Sequence, residues 1–208
     1  VVSPTSGLVT SEAGGMATFT VVLGSSPAAP VTISEMSSDA TEGAVAPASL
    51  IFTNLNWNVP QTVTVTGVDD VMVDGTVAYS IVTGAASSAD PAYSGLVVAD
   101  VSASNTDNDA PSVTVTPTSG LVTTEALGTA TFTVVLATMP SASVTISVTS
   151  TDTTEGTVST ASLVFTTLNW STPQTVTLTG VDDALADGSV AYTITTGAAA
   201  SADPSYSG

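Results

Sequence analysis

The sequence predicts an all-β chain: two tandem seven-stranded immunoglobulin-like β-sandwiches, the second lacking its last strand. Three observations carry that prediction. Valine and threonine dominate and alternate with polar residues at period two, the pattern of half-buried strands. Gly, Pro, Asp and Asn clusters interrupt these runs at short intervals, and helix signals are nearly absent. The whole pattern then repeats without a gap: Trp57 and Trp170 lie 113 residues apart, and the same offset aligns Ser6-Gly7-Leu8-Val9-Thr10 with Ser119-Gly120-Leu121-Val122-Thr123. Roughly two-thirds of the paired positions are identical. One repeat spans 1–110 and the other 111–208, meeting near Asp109-Ala110-Pro111. A linker this short, with a proline in it, is no flexible tether.

Each element has its own signal. Val1 to Val9 reads as a first strand kinked at Pro4, matched by Val113 to Val122 with Pro117. Proline there predicts a sheet edge. Met16 to Leu23 places Phe19, Val21 and Leu23 on one face, and Thr129 to Leu136 repeats it. Val31-Thr32-Ile33 is the third strand, followed by a polar loop over Ser37 to Gly43. Leu50-Ile51-Phe52 is the fourth, and Asn54-Leu55-Asn56-Trp57 turns the chain into Gln61 to Thr66, with Val63 and Val65 inward. Thr76 to Thr83 groups Val77, Tyr79 and Ile81. A loop of small residues leads to a last strand over Leu96 to Asn105, whose counterpart falls beyond Gly208. The core of each copy forms around residues such as Phe19, Phe52, Trp57 and Tyr79.

Composition narrows the function. Eighteen acidic side chains face no lysine, arginine or histidine, for a net charge of −18. Nucleic acid is a poor partner, because phosphate binding depends on Lys/Arg counterion release. An anionic membrane surface is excluded on the same ground, and no apolar run is long enough to insert. Without His, Cys or Lys the serines have no activating partner, so the chain reads as a non-enzyme. A carboxylate pair for glycoside hydrolysis would need an aromatic cleft, which is not evident. Cysteine is absent, so a metal is the staple left to a small exported β domain.

The acids are concentrated in turns. Gly67-Val68-Asp69-Asp70-Val71-Met72-Val73-Asp74-Gly75 reappears as Gly180-Val181-Asp182-Asp183-Ala184-Leu185-Ala186-Asp187-Gly188. Loops alternate between the two ends of a sandwich, so Glu12, Asp39, Glu42, Asp69, Asp70, Asp74, Asp107 and Asp109 converge at one end, at the junction between copies. Like charges gathered that closely call for a cation. Ca²⁺ suits irregular all-oxygen sites at ~2.3–2.6 Å, Mg²⁺ demands a tighter octahedron, and zinc wants Cys or His. The bland alternatives are that Asp and Asn favour turns and that acids keep the surface soluble.

These features resemble the Calx-beta family, in particular the tandem repeats of that type in large bacterial extracellular surface proteins. The likeness covers nearly all of both copies. It rests on the glutamate after the first strand (Glu12, Glu125), the Asp-Asp turn with an acid four residues on, and the closing Asp107-Asn108-Asp109-Ala110-Pro111. It implies Ca²⁺ ligands at Glu12, Asp39, Asp69, Asp70, Asp74, Asp107 and Asp109. In the second copy it implies Glu125, Asp152, Asp182, Asp183 and Asp187. The family often has glutamate where Asp74 and Asp187 stand, and the second copy carries no closing acids.

The expectation that follows is a structural Ca²⁺-binding repeat of a bacterial adhesin, stalk or filament at the cell surface. Its partners would be neighbouring repeats of the same protein. The alternatives are a carbohydrate- or protein-binding accessory module of a secreted enzyme, and a calcium-sensor domain of a transporter. The ends suggest a window from a longer array, or else a second copy donating a strand to the open edge of the second repeat. Trp57 and Trp170, beside Asp90 and Asp203, either cap their own cores or, with Asp203 as a further ligand, face the next acidic end.

Overall fold

The computed structural model describes residues 1–186 and 188–208. The chain is all-β and divides into two compact units. Unit 1 comprises Val1–Asp70 and Asp74–Asn108, and unit 2 comprises Val71–Val73 and Asp109–Gly208. Each unit is a pair of sheets enclosing its own core.

Unit 1 has ten strands: β1 (Val2–Ser3), β2 (Leu8–Ser11), β3 (Met16–Val21), β4 (Val31–Ser37), β5 (Gly43–Ala46), β6 (Ser49–Phe52), β7 (Gln61–Gly67), β8 (Thr76–Thr83), β9 (Ser87–Ser88) and β10 (Val101–Thr106). One sheet runs β1-β3-β7-β5; the other runs β2-β10-β8-β4-β6, with β9 also on β4. The alternation in the sequence becomes the interior: Phe19, Val21, Val31, Phe52, Val63, Val65, Ile81 and Val101 are buried at 0–1 % exposure. Each such side chain contributes about 1.5–3 kcal/mol when removed from water.

Four elements differ from the sequence reading, one being β9, which lies in the expected loop of small residues. The first strand is two, because the Pro4 kink moves the chain from an edge of one sheet to an edge of the other: β1 pairs β3 antiparallel, and β2 pairs β10 in parallel. Between the polar loop and Leu50, where the sequence reading had no strand, lies β5, an edge strand on β7. The last strand begins later, at Val101, since Leu96–Asp100 is the loop that reaches it.

Unit 2 contains β11 (Val113–Thr116), β12 (Thr129–Leu136), β13 (Val144–Ser150), β14 (Gly156–Val158), β15 (Ser162–Phe165), β16 (Gln174–Gly180) and β17 (Ile194–Thr196). Its sheets are β11-β12-β16-β14 and β15-β13-β17. A 3-10 turn over Pro204–Tyr206 is capped by Asp203. Among the described residues no strand pairs with the side of β17 that corresponds to the β10 side of β8.

Two glycines explain the tight fit at the acidic end of unit 1. A Cβ on Gly43 would enter the Tyr79 ring, and one on Gly67 would collide with the Ser11 carbonyl and Asn105 Oδ1. Glycine is the residue that lets backbone come this close.

Candidate metal centre

The acidic end of unit 1 is organised from β10 outward. Asn105 is 1 % exposed and joins four segments. Its Oδ1 accepts the Thr10 hydroxyl (2.9 Å), and its Nδ2 donates to the Val68 carbonyl (3.0 Å) and to Glu42 Oε2 (3.4 Å). The backbone then ties the loops together: Val68 N donates to Glu42 O, Glu12 N to Thr106 O, and Asp107 N to Gly75 O. Gly75, at φ +77°, turns the chain after Asp74 and returns its own N–H to Asp107 Oδ2 at 2.9 Å. Asn108 closes the end, its backbone N–H on Glu12 Oε2 (3.0 Å) and its side chain on Asp69 Oδ1 (3.2 Å).

This framework gathers carboxylates into two groups. In one, Glu42, Asp70 and Asp74 each present an oxygen within 4.8 Å of the others; in the second, Glu12 and Asp107 lie as close to each other. Glu12 and Glu42 are buried, at 3 % and 5 % exposure. Burial raises the Glu42 carboxyl above the ordinary carboxylate range, Asn105 partly opposes this, and the charges of Asp74, Asp39 and Asp70 push it higher still. A divalent cation among these oxygens would reverse the repulsion, and a donor set of oxygens alone suits a hard ion.

Of the residues expected from sequence, Glu12, Asp70, Asp74 and Asp107 fall in these groups, and Asp109 belongs to unit 2. Asp39 and Asp69 do not. Asp39 accepts the Thr41 side chain (2.6 Å) and backbone (3.0 Å), a self-contained turn that holds its carboxyl below the usual range. Asp69 receives Asn108. Glu42 was absent from the expected ligand set, because the loop that carries it has no hydrophobic period. The signal was the Glu-Gly pair itself, Glu42-Gly43 and Glu155-Gly156, with the glycine forced by the tyrosine ring beside it.

The counterparts in unit 2 are placed differently. Glu125 and Asp182 are exposed, Asp183 accepts the Leu185 N–H (2.7 Å), and Asp152 repeats the turn with Thr154. Asp187 lies outside the described residues. Among the described residues, the acids of unit 2 form no group of three.

The opposite ends of the units are built differently. Trp57 and Trp170 each pack against the core of their own unit. Asp90 Oδ2 accepts Ala28 N (2.7 Å) and its Oδ1 accepts Ala92 N (2.9 Å), bonds that lower its pKa. Asp203 is raised by burial, yet the N–H groups of Ser141 and Ser205 outweigh this and leave it below the usual range. Both acids brace a loop within their own unit.

No family model matches the chain, and no curated protein sequence matches it. Several solved structures are similar at low level. CBD12 from CALX1.2 is 16% identical, with 95% of this chain and 79% of that chain covered and a TM-score of 0.40. The YadV chaperone is 9% identical, with 95% and 98% covered and a TM-score of 0.40. SSP-19, an MSP-domain protein like family member in Caenorhabditis elegans, is 16% identical over 51% of this chain and 98% of its own, with a TM-score of 0.40. At such scores neither fold nor function follows from the likeness; the fold rests on the strand ladders themselves.

Proposed function

We propose that this chain is a pair of Ca²⁺-binding β-sandwich repeats from an extracellular bacterial surface protein of the adhesin, stalk or filament type. In this reading calcium stiffens the junctions between successive repeats, so that an array projects or transmits force. The observation that supports it is the Glu42–Asp70–Asp74 group: a buried glutamate and two aspartates within 4.8 Å, in a chain with no basic side chain to neutralise them. Millimolar calcium outside a cell would fill a site in the ~10⁻⁴–10⁻³ M range that cytosolic calcium would leave free.

Calorimetric titration of the whole chain with Ca²⁺ and Mg²⁺, alongside melting in EDTA, tests the reading. Calcium in hundredfold excess over its dissociation constant is expected to stabilise unit 1 by about 2.7 kcal/mol, and Glu42→Gln to abolish most of that gain. Small-angle scattering with and without calcium reads the stiffening. No saturable Ca²⁺ binding up to millimolar concentrations would sink the metal. Binding without any change in scattering would sink the stiffening alone.

A further inference from the structure

We propose that Glu35 is a proton-operated latch on the segment leading into β10: protonated, it lets the Asp100 carboxylate stay seated on Thr83, and ionised, it drives that carboxylate off. Three groups meet at this point. Glu35 on β4 lies opposite Thr83 on β8. The ladder between β8 and β10 ends at the pair Ile81 and Val101. Beyond it the Asp100 side chain takes over. Its Oδ1 accepts the Thr83 N–H at 2.9 Å and the Thr83 hydroxyl at 3.3 Å, and that hydroxyl also donates to the Ala99 carbonyl at 2.7 Å. One exposed carboxylate thus pins the entry to β10, the strand that pairs with all of β2 and most of β8.

Glu35 is out of place on its own face. It points inward with Val31 and Ile33, is 3 % exposed, and neither carboxylate oxygen has a hydrogen-bond partner. An ionised carboxylate is costly in such surroundings, and taking up a proton relieves the cost. Packing does not require an acid there, because Val148 fills the same place in unit 2 and is fully buried. Burial first, and then the charge of Asp100, push Glu35 up to about 7. The elements around it bring no further charge: β3, β5, β6, β7, β9 and β10 contain no titratable side chain, and Tyr79, the only one on β8, is engaged by Thr10. The chain also has no basic side chain that could hold both acids ionised.

The direction of the switch follows. While Glu35 is neutral, Asp100 is the only charge at the site, and its bonds to Thr83 stay closed. As pH rises through about 7, a second negative charge appears beside it. Asp100 is the group able to leave, because it is exposed whereas Glu35 is enclosed. Thr83 then loses the acceptor of its N–H, and the start of β10 loses its clasp.

The test is a pH titration of the whole isotope-labelled chain by NMR, in EDTA so that no divalent cation takes the place of the proton. The Glu35 carboxyl carbon is expected to titrate with a midpoint of about 7, and the Thr83 amide to shift with the same midpoint. Amide protection at Thr83 and Val101, corrected for intrinsic exchange rates, is expected to fall at least about tenfold between pH 5 and pH 8. Glu35→Gln is uncharged at every pH and should abolish that fall, and Glu35→Val, which copies the residue of unit 2, should do the same. Asp100→Asn keeps the acceptor oxygen without its charge, so it should preserve protection at pH 8 and lower the Glu35 midpoint. A Glu35 midpoint at the ordinary carboxylate value would overturn the proposal. So would a Thr83 amide indifferent to the titration, which would mean that Glu35 turns to solvent by itself. An undiminished fall in both Glu35 variants would overturn it as well.

Discussion

Thr76–Thr83 and Ser189–Thr196 share Val-Ala-Tyr at their centres and end alike in threonine, yet the first is an eight-residue strand and the second yields only the three residues of β17. Their sequences are equally β-prone, so propensity does not separate them. The difference is the neighbour. Thr76 to Ile81 pair with β10, and residues 189–193 have no such strand beside them among the described residues. The effect spreads: Leu8, Tyr79, Thr83 and Glu12 are buried, whereas Leu121, Tyr192 and Thr196 are half-buried and Glu125 is exposed. One strand therefore orders two others and covers a glutamate of the acidic end. Strand content reports pairing as much as residue type.

Each unit can be made more or less like the other by substitution, and each has one tryptophan, Trp57 or Trp170, to report on it. The largest effect should come from unseating β10. Ala103→Arg places a charge at a site 6 % exposed with no acceptor built for it, and is expected to cost unit 1 about 4 kcal/mol or more. Amide exchange over 8–11 and 76–80 should then become as fast as over 121–124 and 189–193. If those amides stay protected, β10 is not what orders them.

The next effect concerns an acid that only one copy has. Glu35 on β4 is 3 % exposed with both carboxylate oxygens lacking a hydrogen-bond partner, and unit 2 has the fully buried Val148 at the same place. Burial, and then the charge of Asp100, push Glu35 up to about 7. The folded state thus keeps a proton that the unfolded chain gives up. Its contribution to stability is complete below the ordinary value of 4.5 and is lost as pH rises through about 7. Glu35→Val should therefore raise the stability of unit 1 at pH 8 by about 3 kcal/mol, with a much smaller change at pH 4. Urea unfolding followed at Trp57 across that range checks it, and an unaltered pH slope would refute it.

The smallest effect lies in a turn. Gly14 takes φ +78° without strain, but its counterpart Leu127 adopts φ +61° with a side chain. Relieving that conformation, less the flexibility that glycine adds to the unfolded chain, should make Leu127→Gly stabilising to unit 2 by about 0.5–1 kcal/mol. Melting followed at Trp170 decides the sign.

Much of this was legible in the residues. The alternation of Phe19-Val21 and Val63-Val65 fixed which faces turn inward, because a period of two leaves no choice once one face is apolar. The turn acids announced a crowded end, because nothing basic exists to disperse them. Glu42 and Asn105 were harder. Both are polar residues whose importance comes from being buried against loops far away in sequence, Asn105 reaching Thr10 and Val68 at once. The one local mark is the glycine that follows Glu42, held by the Tyr79 ring, and Asn105 carries none.

Local chemistry in the sequence therefore determined the strands, their inward faces, the duplication and the excess of negative charge. Tertiary structure alone decided that Pro4 divides one strand between two sheets and that Glu42 rather than Asp39 joins Asp70 and Asp74. The reason is the same in each case. Periodicity and charge are properties of neighbouring residues, whereas pairing and carboxylate proximity depend on segments that only the fold brings together.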